Sequence, residues 1–305
     1  IPAAMHRPPR TAAPAAPEKI HYNFSDYPVY IRRDHLSQYP NYSGTAHWHE
    51  DPEFILILSG HMIYNVNGRR IHLTEGSGIL VNSCQFHHGF SADGSDCEFI
   101  CIIVSPLLLS ANEYFETTYI APILKNEDFP RLLLSPETDW QQGMLDCLRD
   151  IFRESREKNH FLEIQQQLLR LWGPLYRHTA PAEPGTAAGN PRLTAVKQMT
   201  AYIHRHYREK IKLDEIAAAG NVCRSSCHAL FRTYLSRTPM EYLTEYRLRQ
   251  SLDSLLHSAL PISEIGNSIG IGNPSYYSEL FRKYFHCTPG DYRRSRRTKE
   301  PSVRV

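Results

Sequence analysis

Hydrophobic and polar positions alternate with two different periods along the chain. From about Ile20 to Pro106, short runs rich in β-branched and aromatic residues alternate with turn signals; they include FILILS, HMIYNV, RRIHL, ILVN and CEFICIIV. Asn67-Gly68 between two runs predicts a hairpin, because a type I′ turn needs positive φ at both central residues. Many short strands of this kind are typical of a β-sandwich or a β-barrel.

Beyond Ser135 the apolar residues recur every three or four positions, which predicts two amphipathic helices. The first stripe is Trp140, Met144, Leu145, Leu148, Ile151 and Phe152, and the second is Phe161, Ile164, Leu168, Leu171, Trp172 and Leu175. These apolar faces either cap the barrel or pair between two subunits, and periodicity alone favours neither arrangement.

Composition then divides the chain. Residues 179–191 read TAPAEPGTAAGNP, which offers nothing to bury and predicts a flexible linker. Residues 1–192 carry 16 Lys and Arg against 22 Asp and Glu, a net charge of −6, whereas residues 193–305 carry 18 against 10, a net charge of +8. A length of 305 residues suits two domains. The charge difference indicates that only the second domain meets a polyanion, with scattered solvated charge as the alternative.

The second domain repeats itself. FRTYLSRTPMEY, residues 231–242, returns fifty residues later as FRKYFHCTPGDY. Each copy follows a short helical pattern and a turn residue that tolerates positive φ, Asn221 in the first and Gly270 in the second. Each copy begins in the last turns of a second predicted helix. These second helices are predicted over 224–235 and 274–285. Helix, tight turn and helix form a helix-turn-helix, whose second helix enters the major groove of DNA.

Helical spacing separates a core face from a DNA face on these second helices. The apolar stripes are Cys227, Leu230, Phe231 and Tyr234, and Tyr277, Leu280, Phe281 and Tyr284. The residues expected to reach bases or phosphates are Arg224, Ser225, His228, Arg232, Asn273, Pro274, Ser275, Ser278, Glu279 and Arg282. For any one of them, a solvated helix face is the alternative. A continuous helical pattern over 240–258 joins the two units and would hold them about one DNA turn, roughly 34 Å, apart.

Residues 193–297 resemble the DNA-binding domain of the AraC/XylS family of transcription regulators. The resemblance rests on LPISEIGNSIGIGNPSYYSELFRKYFHCTPGDYRR. It implies a sequence-specific DNA-binding protein and, as the family's usual output, activation of transcription. Three positions depart from the family pattern, since Ile271 replaces a common Phe, and Ala229 and Glu279 replace a common Arg. These departures leave the operator sequence open, and Glu279 could accept from cytosine N4.

A cluster of histidines lies in the first domain, in GTAHWHEDPEFILILSG. Alternation on a strand places His47 and His49 on one face, and Glu53 and a later strand with His87 enter the same barrel. Such a set could bind Fe, Mn, Ni or Zn. The spacing resembles the first cupin motif, and GSGILVNSCQFHH resembles a degenerate second one in which Ser83 replaces proline. In AraC-type regulators of carbohydrate use, this resemblance implies a pocket that holds an effector.

Three interpretations of the cluster therefore stay open: an effector pocket without bound metal, residues that only maintain the barrel, and a metal site. The first is the prediction, with His47, His49, Glu53, Tyr64 and His87 as effector-binding residues and no catalytic residue, metal or cofactor. Converging polar groups suit a hydroxyl-rich ligand, because each hydroxyl must replace the hydrogen bonds it made to water.

The remaining features concern the cellular setting. The seven cysteines are odd in number and contain no CxxC pair, so we expect them to be reduced and buried. Residues 1–19 are rich in Pro and Ala and are expected to be a disordered leader rather than a signal peptide. The longest apolar run, FILIL, is far shorter than the roughly 20 residues of a membrane span, so a cytoplasmic protein without a membrane partner is expected.

Together these patterns predict a multidomain protein, with an N-terminal all-β cupin-like barrel, two helices and a C-terminal all-α domain with two helix-turn-helix motifs. The expected limits are a leader at 1–19, the barrel at 20–134, a helical dimerisation segment at 135–177, a linker at 178–192, the DNA-binding domain at 193–297 and a tail at 298–305. The predicted function is that of a transcription regulator, not an enzyme, with double-stranded DNA, a sugar-like effector, a second subunit and RNA polymerase as partners. The rival functions are a ligand-independent regulator with a dimerising barrel and a cupin metalloenzyme fused to a DNA-binding domain.

Overall fold

The computed structural model describes residues 20–24, 26–157, 160–179 and 190–297. Its strands are β1 (Val29–His35), β2 (Glu53–Val66), β3 (Arg69–Thr74), β4 (Gly78–Val81), β5 (His87–Phe90), β6 (Cys97–Val104) and β7 (Arg131–Leu134). Its helices are α1 (Pro106–Leu109), α2 (Glu113–Phe115), α3 (Ala121–Leu124), α4 (Asp139–Glu154), α5 (Phe161–Thr179), α6 (Pro191–His206), α7 (Leu213–Ala219), α8 (Arg224–Leu235), α9 (Pro239–His257), α10 (Ile262–Ser268), α11 (Pro274–Phe285) and α12 (Pro289–Arg297). The expected leader, most of the linker (180–189) and the tail lie outside the described residues. Within the described ranges, no helix combines the length and apolar character needed to cross a membrane.

Strand β2 organises the barrel. Before Gly60 it pairs with β6 and β4, and after Gly60 it pairs with β3 and β5, all antiparallel. Gly60 has φ of 78°, a left-handed conformation that glycine adopts without strain, and it lets the strand turn from one sheet into the other. FILILS and HMIYNV, which the sequence presents as separate runs, therefore belong to one bent strand. The hairpin at Asn67-Gly68 is confirmed, with φ of 51° and 85°, and so is the sheet-rich first domain.

Helices α4 and α5 cover the outer face of the barrel sheet. Met144 and Leu148 of α4 and Leu168 of α5 are buried in one core with residues of β2 and β6 such as Phe54 and Ile102. Nine of the twelve residues of the predicted apolar stripes are therefore buried, and Trp140, Phe152 and Phe161 are half-buried against the same core. Of the two arrangements considered for these stripes, the structure has the one in which they cap the barrel. Burial of a Leu or Met side chain contributes roughly 1.5–3 kcal/mol, so these helices are integral to the first domain.

The second domain is helical and repeats one unit twice. Helices α7 and α8 form the first helix-turn-helix, α10 and α11 form the second, and α9 lies between them. The predicted turn residues are confirmed, since Asn221 has φ of 53° and Gly270 has φ of 79°. Phe231 and Phe281, which occupy equivalent positions in the repeat, are both completely buried. Each unit therefore packs around the same aromatic residue, and the core of the first unit continues into the barrel through Ala46, Trp48 and Phe86.

The cysteine prediction is correct in part. All seven cysteines are free, but Cys223 is exposed, and Cys84, Cys101 and Cys287 are only half-buried. Cys223 is the residue before α8, and its side chain is exposed there. Cys227, one turn into the helix, belongs to its apolar stripe and is buried.

The helix-turn-helix turn gives a test of the fold. We expect Asn221→Val to lower the free energy of unfolding by about 1–2 kcal/mol, because a β-branched residue is strained at positive φ. The matched Asn221→Gly should stay within about 0.5 kcal/mol of wild type, since glycine tolerates this conformation and the side chain is exposed. Urea unfolding measures both values. Equal losses in the two variants would contradict a left-handed turn at this position.

Candidate ligand pocket and DNA-binding surface

Glu53 is the centre of a polar cluster inside the barrel. Its side chain is almost completely buried at the start of β2. The bend at Gly60 returns β2 over its own beginning, so that the Tyr64 hydroxyl donates a hydrogen bond to one Glu53 oxygen. The other oxygen lies 3.4 Å from His49 Nε2 and 3.4 Å from His87 Nε2. The buried carboxylate thus accepts a hydrogen bond from Tyr64, and two imidazole nitrogens lie against its other oxygen. Because the Nδ1 atoms of His49 and His87 already donate to backbone carbonyls at 2.8 Å, their Nε2 atoms donate to Glu53 when the rings are protonated.

The surroundings fix the charge of this cluster. Burial alone would raise the pKa of Glu53, but attraction to His87 and hydrogen bonds from His49 and His87 outweigh it and hold that pKa well below its usual range. Burial, and then the charge of Glu53, raise the pKa of Tyr64 well above its usual value. Glu53 is therefore a carboxylate that accepts hydrogen bonds, and Tyr64 is a phenol that donates one.

The same cluster has the composition of a metal site. One ligand atom from each of His47, His49, Glu53 and His87 lies within 4.8 Å of all the others. Three imidazoles and one carboxylate suit Zn, Fe, Mn or Ni, so the residues fit such an ion. A bound metal would act as a Lewis acid toward ligand oxygens. The prediction that the cluster binds an effector without metal remains a prediction.

A cavity of about 380 Å³ opens beside the cluster. Three of the five predicted effector-binding residues line it, namely His47, Glu53 and Tyr64. The other two, His49 and His87, contact Glu53 but are not part of the lining. Three of the predicted residues thus face the cavity, and the other two lie against Glu53 instead; their role in effector binding remains a prediction.

The cavity also contains polar residues that sequence reasoning missed. The buried Asp34 accepts a hydrogen bond from Tyr39 at 2.6 Å, and both residues line the cavity. His88 lines it as well, and burial, followed by repulsion from Arg237, lowers the pKa of His88 to about 3. His87 and His88 both end the segment GSGILVNSCQFHH, and alternation alone does not tell which histidine faces the cavity.

One lining residue comes from the second domain. Arg249 of α9 forms part of the wall and pairs with Glu245 at 3.0 Å. Neither its spacing nor its neighbours in the sequence point to a ligand site, because the contact exists only after the two domains pack together. The cavity is therefore shared between the barrel and the helix that joins the two helix-turn-helix units.

The predicted DNA face of α8 is exposed. Arg224, Ser225, His228 and Arg232 all lie at the surface. Arg224 forms an ion pair with Asp214 of α7. Arg232 lies 3.9 Å from Glu241, a distance at which an exposed pair contributes little.

The predicted face of α11 is similar. Five of its six predicted residues are exposed, whereas Ser278 is half-buried; the exposed ones are Asn273, Pro274, Ser275, Glu279 and Arg282. Asn273 caps the helix, because its Oδ1 accepts hydrogen bonds from the backbone N–H groups of Ser275 and Tyr276. Since Oδ1 is used in the cap, Asn273 would contact DNA as a hydrogen-bond donor through its side-chain amide N–H groups.

Known proteins match both domains. Residues 216–295 match the family of helix-turn-helix domains, and residues 37–103 match the cupin domain family. An uncharacterised HTH-type transcriptional regulator of Bacillus subtilis, YdeC, is 31% identical over 271 residues, which cover 88% of this chain and 92% of that protein.

Two more distant relatives are named for sugar operons. The melibiose operon regulatory protein of Escherichia coli is 20% identical over 273 residues, 88% of this chain and 89% of that protein. The lactose operon transcription activator of Staphylococcus xylosus is 30% identical over 98 residues, 32% of this chain and 35% of that protein. With a full-length relative at 31% identity and both domains matched, the chain belongs to the AraC/XylS family of transcription regulators, with a cupin domain ahead of its helix-turn-helix domain.

Proposed function

We propose that this regulator binds a small carbohydrate-like effector in its barrel and activates transcription in response. The observation that carries the proposal is the cavity of about 380 Å³, whose lining combines carboxylate, phenol and imidazole groups with Arg249 of the DNA-binding domain. Sites for small molecules have volumes of roughly 300–1,000 Å³ and a few convergent polar groups. The cavity meets both conditions.

A carbohydrate suits the chemistry of the lining. Its hydroxyl groups need acceptors as well as donors, and Glu53 and Asp34 supply charged acceptors that are themselves buried. Leu36 and Phe99 supply apolar surface for the ring carbons. The names of the lactose and melibiose operon regulators support a sugar as the class of ligand.

The cavity wall shared by the two domains suggests how ligand binding in the barrel affects DNA binding. A ligand can shift an equilibrium between domain arrangements only by its differential affinity for them. A ligand that contacts Arg249 binds the docked arrangement more tightly than the undocked one, because undocking of the second domain removes that contact. We therefore place the regulatory coupling at the Arg249 side of the cavity.

For the DNA side, we assign Arg224, Ser225, His228 and Arg232 of the first unit to one major groove. We assign the second unit's set to the next groove, namely Asn273, Pro274, Ser275, Ser278, Glu279 and Arg282. We place the protein in the cytoplasm, where bacterial DNA and RNA polymerase are found. We place a homodimer contact on α5, where Leu162 and Leu169 are exposed two turns apart.

The rival functions differ in what they need from the barrel. The metalloenzyme hypothesis is favoured by the close approach of His47, His49, Glu53 and His87. We assign these residues to effector recognition because the relatives compared above are named as regulators of transcription. In a ligand-independent regulator, Glu53 and its neighbours would serve only to maintain the barrel.

The effector proposal is tested by thermal melting of the full chain against mono- and disaccharides and their phosphates, before and after chelation. A ligand at 100 times its Kd should add about 2.7 kcal/mol to the stability of the folded state. We expect a selective rise in Tm that survives chelation. Tyr64→Phe should reduce the rise, because the phenol hydroxyl is lost from the lining, whereas the exposed Tyr114→Phe should not.

Other results would favour the rivals. A melt that falls on chelation, with stoichiometric metal in the purified protein, would support the metalloenzyme hypothesis. A melt that responds to neither sugar nor chelator would support a dimerisation scaffold.

The shared wall gives a second test. We expect Arg249→Gln to weaken binding of the sugar identified above about tenfold, because a hydrogen bond to a charged group is worth roughly 1.5–3 kcal/mol. Arg205→Gln, an exposed cation on α6, is the matched control and should bind the sugar like wild type. Isothermal titration measures both affinities. Equal binding by the two variants would remove the second domain from the effector site.

DNA contact is tested by salt dependence. The logarithm of affinity should fall steeply with the logarithm of salt concentration, and Arg232→Ala should reduce the slope by about one, as expected for a lost phosphate contact. Arg153→Ala on α4 removes an exposed cation from the first domain and should leave the slope unchanged. An unchanged slope in Arg232→Ala would show that Arg232 does not contact a phosphate.

A further inference from the structure

The two helix-turn-helix units end their second helices in the same way. Ser236 follows α8 with φ of 54°, and His286 follows α11 with φ of 58°. The two residues are fifty positions apart, so they are equivalent points of the repeat. Both are non-glycine residues in the left-handed region, which is uncommon and local to these caps.

The barrel contacts both of these caps. Asn65 Nδ2 donates a hydrogen bond to Ser236 Oγ at 3.4 Å. Asn41 Oδ1 lies 2.7 Å from His286 Nε2. The end of strand β2 and the turn at Pro40–Tyr42 thus meet the same structural point of each repeated unit.

Close packing supports the first contact. Gly68 lies against the backbone of Thr233 in α8, so near that a Cβ on this glycine would come within 2.3 Å of the Thr233 carbonyl oxygen. The second contact is bordered by a small recess between the turn at Pro40–Tyr42 and the end of α11 at Tyr284 and Phe285. The barrel is therefore seated on both units, not on one.

Both contacts lie next to the cavity in the sequence. Asn65 follows Tyr64, which lines the cavity. Asn41 lies between Tyr39 and Gly44, which also line it. A displacement of the cavity lining would therefore be separated from either helix-turn-helix unit by only one or two residues of the barrel.

The docked arrangement leaves the proposed DNA faces accessible. Arg224 and Ser225 of α8 and Pro274 and Ser275 of α11 are exposed while the caps are held. Docking at the caps therefore does not cover these ends of the two helices, and it can fix their mutual orientation.

We propose that the barrel acts as a clamp on both helix-turn-helix units, holding the Ser236 and His286 caps so that the two second helices are pre-oriented for a two-part DNA site. This clamp goes beyond effector binding and needs no ligand. Docking should therefore strengthen binding of both units to a two-part DNA site, because the relative orientation of the two second helices is set before DNA binds. Binding of a single half-site does not depend on the second unit's orientation.

The experiment uses full-length variants that remove one side chain and keep the backbone. Asn41 and His286 both have positive φ, so Asn41→Gly and His286→Gly preserve the local conformation. The matched control is Asn221→Gly, the same kind of change at an exposed positive-φ residue in the turn of the first helix-turn-helix. The DNA is a duplex selected in vitro with the wild-type protein, used intact and with one half scrambled, and no ligand is added.

We expect Asn41→Gly and His286→Gly each to weaken binding of the intact site about fivefold, with the double variant no weaker than either single one. Binding of the half-scrambled duplex should change less than twofold, and Asn221→Gly should behave like wild type on both. Circular dichroism melts should match wild type.

Three results would overturn the clamp: unchanged binding of the intact site, equal loss on both duplexes, or tighter binding, which would make the contact inhibitory. Hydrogen exchange provides a readout independent of DNA. The clamp requires faster exchange at the end of α11 in Asn41→Gly, with the end of α8 unchanged. Because no effector takes part, failure here leaves the sugar-binding proposal standing, and failure of that proposal leaves the clamp standing.

Discussion

A carboxylate withdrawn from water must be surrounded by donors, and Glu53 imposes this condition on the barrel. Its neighbours come from three places in the sequence: Tyr64 from the far end of the same strand, His49 from the preceding loop and His87 from β5. The bend at Gly60 is what makes the first of these contacts possible. An unpaired buried charge would cost several kcal/mol, so the strand path, the histidine positions and the cavity wall are constrained together.

The parts of the fold that could be predicted are those governed by local physics. In α8 and α11, an apolar stripe lies between a turn residue that tolerates positive φ and a following segment that contains proline. These signals predict where each helix begins and ends, and the structure has the same bounds. The hairpin at Asn67-Gly68 follows from the conformations that the two residues prefer. By contrast, the two runs of β2 were separated at Ser59-Gly60, because a bulge and the end of a strand have similar local composition.

The candidate site was predictable only at its centre. His47, His49 and Glu53 are close in sequence, and His87 stands in the second cupin-like segment, so the pattern revealed them. Asp34, His88 and Arg249 face the same cavity for reasons of packing between elements, and one of them belongs to another domain. The opposite net charges of the two domains, visible in the sequence, favour their association, but they do not specify which arginine enters the wall.

The repeated units have similar core residues but differ on their surfaces. Arg232 and Arg282 are equivalent and identical, whereas His228 and Ala229 correspond to Ser278 and Glu279. If the domain were turned end for end on a duplex, each half of the site would meet a different set of side chains. The domain therefore has a defined direction along DNA, which a twofold-symmetric DNA-binding protein lacks. A single chain can distinguish upstream from downstream, and a binding site placed in reverse beside a promoter would present the barrel to the opposite direction along the DNA.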